Sequence, residues 1–313
     1  MSKRGLLATL RDAGDILKHA RPAEVARALV PGGKALRVLN QGATATVERG
    51  DGALTRLAAL RRRLQAEVLA GDGRVDYRRL AGSATYAELE ATSQALAGAR
   101  LDFADDPAGS SAAGTAFWIN VYNVLTIHGV VALGIRRSIM EIPTFFGRVA
   151  YRVGGHVLTL DDIENGVLRR NSPHPVTGRR RFAPGDPRAA LSPAAIDPRI
   201  HAALVCGARS CPPIAMYDAD RLDAQLTVAS ESLIANVELD EARRTITLPL
   251  VLAWYQRDFG GATGQRAWIL AHAGQRKDAI ERAFATGWHL EHARYDWTLN
   301  EGQALNEGQA PGS

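Results

Sequence analysis

From Leu54 to Leu69 the leucines and alanines recur at the spacing of one helix face while arginines occupy the other, which predicts an amphipathic helix. Tyr86 to Leu96 repeats the pattern, and the turn residues of LDFADDPAGSS separate it from a longer apolar helix over about 112–134. The period then changes from helical to alternating. VAYRV and HVLTL flank Gly154 and Gly155, and two glycines accept the positive φ of a two-residue turn, so the segment reads as a β-hairpin over about 149–160. Its register sets Val149, Tyr151 and Val153 on one face with Leu160, Leu158 and His156. Asp161 or Asp162 is then placed to accept backbone N–H groups at the start of a short helix, DDIENGVLRR, which stops near Asn171 and Pro173.

Residues 172–199 are rich in proline, glycine and arginine and predict a long loop, which inside a domain is usually functional or mobile. The apolar run IHAALVC reads as a buried strand. There follow a helix from Asp218 to Val237, a strand RTITL at 244–248, a helix opened by Pro249 that carries Trp254 and Tyr255, and helices near 263–273 and 275–285. HLEHARYDWTL closes the chain's ordered part as an extended segment. A few strands scattered among helices predict an α+β fold, one mainly helical domain packed around a small sheet that includes the hairpin. The expected divisions are a basic helical extension over 1–52, the α+β domain over 53–300 and a disordered polar tail over 301–313.

Composition changes this picture little. The chain of 313 residues is 46% hydrophobic and 23% charged, ordinary globular material with a net charge of +5. Four of its 38 basic residues are lysine (Lys3, Lys18, Lys34, Lys277) and the rest are arginine, beside much alanine and glycine; codon bias explains this more simply than a nucleic-acid surface. The clusters Arg61–Arg63 and Arg179–Arg181 are short and separated, which argues against nucleic acid as a partner. No run approaches the roughly 18 apolar residues that span a bilayer. The N-terminus carries Arg11, Asp12, Asp15 and Lys18 where a signal peptide needs an apolar core, so cytoplasm is the expected compartment.

Candidate chemistry concentrates in HAALVCGARSCPP at 201–213, which holds both cysteines beside a histidine. Cys206 and Cys211 admit several readings: a thiol nucleophile with a nearby base, a pair of zinc ligands, a disulfide closing a short turn, or buried thiols that only pack. The zinc reading is weak because no second cysteine pair exists, and neither a metal nor a cofactor is expected. On a strand His201 would face away from Cys206, which leaves Cys211 after the turn as its easier partner; His128 and His156 are more distant candidates for the base. In the helix AFWINVYNVLTIH, burial of Asn120, Asn123 and His128 requires a hydrogen-bond partner for each. Their bland role is to fasten loops to the core; the sharper one is for Asn120 to orient a histidine, as in Cys-His-Asn sites. Glu164, one turn from Asp161, is either a helix-terminal carboxylate or a buried one that orients a histidine.

The cysteine segment, together with AFWINVYNVLTIH at 116–128, LTLDDIENGVLR at 158–169, LAWYQRDFGG at 252–261 and YDWTLN at 295–300, resembles the DUF547 family, a domain of unknown function, from about Val75 to Asn300. The resemblance implies a single α+β domain found in bacteria and, in plants, joined to leucine-zipper, glutaredoxin or DEP segments, with no settled activity. It carries over Trp118, Asn120, Asn123, Asp161, Glu164, His201, Cys206, Ser210, Cys211, Pro212, Trp254, Tyr255, Asp258, Tyr295, Asp296 and Trp297 by match. Many relatives are exported, so export stands beside the cytoplasmic expectation. The leading functional expectation is a thiol-dependent enzyme of peptidase or acyl-transfer type, with Cys211 or Cys206 as nucleophile, a histidine as base and Asn120 or Glu164 orienting it. A non-catalytic interaction or scaffold domain is the main alternative and a dithiol/disulfide redox protein the third; a peptide or protein is the partner these readings suggest.

Overall fold

The computed structural model describes residues 36–41, 52–69, 73–101 and 112–302. The N-terminal helices expected before residue 36 and the tail beyond residue 302 lie outside the described residues. The mixture of elements is α+β, as the pattern predicts.

The first helices follow the apolar spacing. In α1 (Gly52–Glu67) Leu57, Leu60 and Leu64 fall on one face and are buried. The short α2 (Tyr77–Leu80) is capped by Asp76, and α3 (Ala84–Leu96) by Ser83, whose side chain accepts from the N–H of Tyr86. α4 (Ala112–Ala132) is apolar all round because it is surrounded, the signature of a central core helix. By length and composition it could cross a membrane, yet 83% of its apolar window is buried against the rest of the protein.

After α5 (Phe145–Arg148) the hairpin forms as read, with β2 (Val149–Val153) antiparallel to β3 (His156–Thr159) and Tyr151 opposite Leu158. A third strand, β1 (Arg37–Val38), joins β2 in parallel. Residues 37 and 38, within the segment read as a basic extension, therefore pair with the sheet. Asn40 locks it there, exchanging hydrogen bonds with the N–H and C=O of Arg152 and donating to Ser93 O.

The helix expected after the hairpin is wound as a π-helix, Asp162–Leu168, and ends in two residues of left-handed conformation, Arg170 and Asn171. Asp162 and Thr159 bond each other's backbone N–H across its start. At Gly166 a Cβ would come within 2.3 Å of Phe182, so glycine is what lets the long loop lie directly on the π-helix.

A second sheet comprises β4 (Glu238–Asp240), β5 (Thr245–Leu248) and β6 (His289–His292), β5 pairing antiparallel with β4 and parallel with β6. Its core of Ile246, Leu248, Ile269, Ile280 and Phe284 draws on helices between these strands: α7 (Leu250–Trp254), α8 (Gly261–Ala271) and α9 (Lys277–Ala285). Ahead of it, α6 (Leu222–Ala235) spans the helix predicted from Asp218.

One element is corrected outright. The apolar run IHAALVC is not a strand: it begins in a 3-10 turn, Pro198–Ala202, and continues as an isolated buried segment. The backbone groups that a sheet would have paired are taken by one side chain of α4. The Asn123 amide donates to Ala203 O at 3.0 Å and Ala215 O at 3.2 Å, and its Oδ1 accepts from the Val205 N–H at 3.0 Å. Asn120 does the same for Tyr217, bonding both its N–H and its C=O at 2.8 Å. Periodicity cannot tell a strand from a run satisfied in this way.

Replacing Asn123 with alanine strands three buried backbone groups, each costing about 1–3 kcal/mol when unpaired. The expected loss is about 3 kcal/mol, read as a lower urea midpoint with an unchanged slope. A loss below about 1 kcal/mol would show that this amide does not hold the segment.

Candidate active site

Gly207 turns the chain sharply after Cys206, with φ +82°, and a Cβ there would come within 3.2 Å of Ile139. The Cys211 N–H then closes the turn on Ala208 O at 3.0 Å. The C-terminal segment fastens onto this loop. Arg209 N–H bonds Thr298 O, Asn300 N–H bonds Gly207 O, and Ser210 Oγ accepts from the N–H of Asp296. Ser138 Oγ and Arg137 O hold the other side of the same segment, at Trp297 O and the N–H of Leu299. The clasp delivers the Tyr295 hydroxyl to both sulfurs, 3.1 Å from Cys206 Sγ and 3.2 Å from Cys211 Sγ.

One hydroxyl has one proton to give. The arrangement that satisfies all three groups runs from the Cys206 thiol to Tyr295 Oη and from the Tyr295 O–H to Cys211 Sγ. Cys211 also accepts the Cys206 N–H at 3.1 Å. Burial raises the Cys206 thiol well above its ordinary value, and its contact with Cys211 adds to that. Burial works against a thiolate at Cys211 too, but the donors from Cys206, Tyr295 and the backbone outweigh it and bring that thiol below its ordinary value. Burial and the two sulfurs together keep Tyr295 protonated, so that it remains a donor.

A second cluster lies on the π-helix and the turn after α7. Glu164 accepts hydroxyl donors from Tyr122, at 3.1 Å, and from Tyr255. The Tyr255 ring stacks on His201 with centroids 3.8 Å apart and planes 11° from parallel, and the Arg169 guanidinium sits over its ring at 4.9 Å. His201 Nε2 lies 2.8 Å from Asp258, whose carboxylate also takes two bonds from Arg169 at 2.5 and 3.0 Å. Arg169 is anchored in turn on Asn165 and on Pro173 O.

Burial favours a neutral Asp258, but the bonds from His201 and Arg169 prevail and hold it down at about 2. Burial in turn lowers His201, against the pull of Asp258, which favours a neutral ring. A charged carboxylate at Nε2 fixes the proton there and leaves Nδ1 as a bare lone pair. That nitrogen is buried and has no hydrogen-bond partner.

Both clusters open on one cavity of about 710 Å³. Tyr122, Glu164, His201, Cys206, Cys211, Tyr255 and Tyr295 line it, with an apolar wall that includes Met140, Phe145, Phe146, Trp254 and Trp297 and a basic one of Arg148 and Arg179–Arg181. Asp161 also faces it, pushed up to about 6 by burial, with the Arg181 guanidinium at 3.8 Å; His174, 3.9 Å away, is itself lowered to about 4 by burial and the arginines beside it. Among the described residues no group of histidines, cysteines and carboxylates could hold a metal ion.

Of the candidates read from sequence, Cys211, Cys206, His201 and Glu164 meet at the cavity, although neither sulfur hydrogen-bonds a histidine; Tyr295 takes that place. Asn120 and His128 do not line it. Asn120 is fully occupied by the Tyr217 backbone, and the orienting partner of His201 is Asp258. The resemblance carried over Asp258 and Tyr295 without a role. Arg169, Tyr122 and Arg148 were not singled out at all, since a contact such as Arg169 to Asp258, 89 residues apart, leaves no trace in local spacing.

His128 is buried against Tyr151, 2.7 Å from its hydroxyl, and edge-on to Tyr86. Burial pushes it down to about 4. Because the unfolded chain, with histidine near 6.5, takes the proton first, this stabilisation is complete above about pH 6.5 and lost as pH falls toward 4, by roughly 3 kcal/mol. Urea titrations at both ends of that range should show a shallower acid loss in His128→Gln; equal slopes would mean that His128 is not held neutral.

No curated protein and no solved structure matches the chain. Residues 109–234 match a family model described as "Protein of unknown function, DUF547". The match is shorter than the span read from the sequence motifs: it includes Glu164, His201 and both cysteines and stops before Asp258 and Tyr295. Over residues 109–234 the chain is thus similar to the DUF547 family, and the cavity joins the thiols, carboxyl and histidine of that stretch to side chains supplied by the sequence after it.

Proposed function

We propose that this protein is a thiol-dependent enzyme of acyl-transfer type, acting on an ester or amide, with Cys211 as nucleophile and His201 as the acid and base oriented by Asp258. One observation carries the reading. Cys211, whose sulfur lies within hydrogen-bond reach of the Tyr295 hydroxyl and accepts the Cys206 N–H, lines the same cavity as His201, whose buried Nδ1 has no partner among the described residues. Such donors favour the thiolate, the nucleophilic form. An unpaired buried nitrogen costs free energy unless a ligand or water completes it, and such exceptions cluster at working sites.

The proton balance closes on these groups. The Cys211 thiol gives its proton to His201 Nδ1 through the cavity and its sulfur adds to the substrate carbonyl carbon. As the bond to the nitrogen or oxygen leaving group breaks, His201 returns that proton to the leaving atom. Water then attacks the thioester, giving a proton to His201, and the C–S bond breaks with that proton returning to sulfur. Glu164, with its two tyrosines, fixes the ring stacked on His201 and is a positioning residue.

The dithiol/disulfide reading has one observation in its favour, that both sulfurs meet on Tyr295 Oη. Thiol chemistry separates the two. Native protein treated with iodoacetamide over a pH series should label Cys211 ahead of Cys206, and Tyr295→Phe should slow Cys211 labelling at pH 7 by about tenfold, the effect of one lost unit of thiolate stabilisation. In a screen of activated esters and amides, Cys211→Ala should abolish turnover, and His201→Ala or Asp258→Asn should lower kcat by about 10²–10⁴. Cysteines that label only after unfolding would sink the enzyme reading, and cysteines already bonded to each other would favour the redox one.

A further inference from the structure

The cavity's basic wall is not uniform. Arg181 is bound to Asp162 at 2.9 Å, Arg180 donates to Asn171 O, and Arg179 is exposed to solvent. Arg148, the last residue of α5, is half-buried in the wall and makes no hydrogen bond or ion pair among the described residues, and its Nε is shut off from solvent. A ligand that fills the cavity would withdraw the rest of this guanidinium from water, which is unfavourable unless an anionic group pairs with it. Its neighbour in the wall, Asp161, faces the guanidinium of Arg181 at 3.8 Å.

The orphaned atoms also gather here. Among the described residues six buried side-chain nitrogens lack a partner, and three of them, His201 Nδ1, Trp254 Nε1 and Arg148 Nε, belong to residues lining this one cavity. These atoms are themselves shut off from solvent, so an anionic end of a ligand would meet the remaining guanidinium nitrogens of Arg148. Phe145 and Phe146, on the same short helix as Arg148, and Met140 offer that ligand an apolar body site.

Building on the reading of the cavity as a thiol-enzyme site, we infer that Arg148 is an anion-binding residue and that the substrate is an acyl compound with an apolar body and a carboxylate or phosphate group. Arginine suits both anions, because its planar donors match two oxygens at once. The same residue excludes neutral compounds of equal size, since filling the site without an anion leaves the guanidinium desolvated and unpaired.

The test uses the whole chain with three probes of matched length: octanoate, octyl phosphate and the neutral octanamide. Binding is followed by tryptophan fluorescence, because Trp254 and Trp297 line the cavity, and separately by protection of Cys211 from iodoacetamide. At least one anion should bind about tenfold or more tightly than octanamide, the effect of a charge-assisted pair, and whichever it is identifies carboxylate or phosphate as the recognised group. Arg148→Gln should erase that preference and Arg148→Lys should keep part of it; neither change removes a hydrogen bond among the described residues. Equal binding of anions and amide, no binding of either anion, or a preference that survives Arg148→Gln would each overturn the inference. The fluorescence titration does not depend on thiol reactivity. Anion binding that needs Arg148 while Cys211 stays unreactive would therefore leave the subsite standing and remove the enzyme reading.

Discussion

Two asparagine side chains on the central helix hold the rest of this structure in place. A chain segment buried outside any sheet must find partners for its N–H and C=O groups or lose free energy comparable to several hydrogen bonds. Here the segments on either side of the cysteine loop, around residues 203–205 and 215–217, meet that requirement through Asn123 and Asn120. A primary amide has the donor and the acceptor of a backbone peptide, so each asparagine behaves as a short piece of neighbouring strand. Because α4 is packed on every side, those amides are rigid, and so is the loop they carry.

Rigidity of the loop gives the hydroxyl of Tyr295 its chemical effect. A tyrosine 84 residues away in sequence can bias a thiol toward thiolate only if its oxygen is held near 3 Å, and the clasp between the cysteine loop and the C-terminal segment does this with backbone bonds. Low local dielectric then strengthens each donor's effect on the sulfur. The same logic governs the other half of the site. Asp258 is charged because Arg169 and His201 both bond it, and a charged Asp258 determines which nitrogen of His201 carries the proton.

A purely structural network would be expected to satisfy itself. Among the described residues, the Arg169–Asp258–His201 chain does so except at the imidazole Nδ1, and in the cavity's basic wall the buried Nε of Arg148 is left without a partner. Burying polar groups and then leaving a few of them incomplete around an open cavity is costly for a scaffold and useful for a site that binds something. This asymmetry, more than the residue types, is what supports the proposed enzyme reading over the scaffold one.

The hydrophobic pattern by itself determined the helices that pack one face, such as α1 and α3, the central α4, and the hairpin, whose Gly-Gly turn fixes its register. These depend on neighbours a few residues apart, which is the range of periodicity and turn chemistry. The residue types at 201–213 likewise marked where the chemistry lies, and buried amides on an apolar helix announced that something had to meet them. What met them was decided in three dimensions. The run IHAALVC has the composition of a strand and lost its sheet to a side-chain amide, and the helix after the hairpin was wound into a π-turn that aims Glu164 and Asp161 at the cavity. The partners of the catalytic candidates, Tyr295 for Cys211 and Asp258 for His201, come from 84 and 57 residues away. Contacts at such separations carry no period along the chain, because packing and not local propensity brings them together.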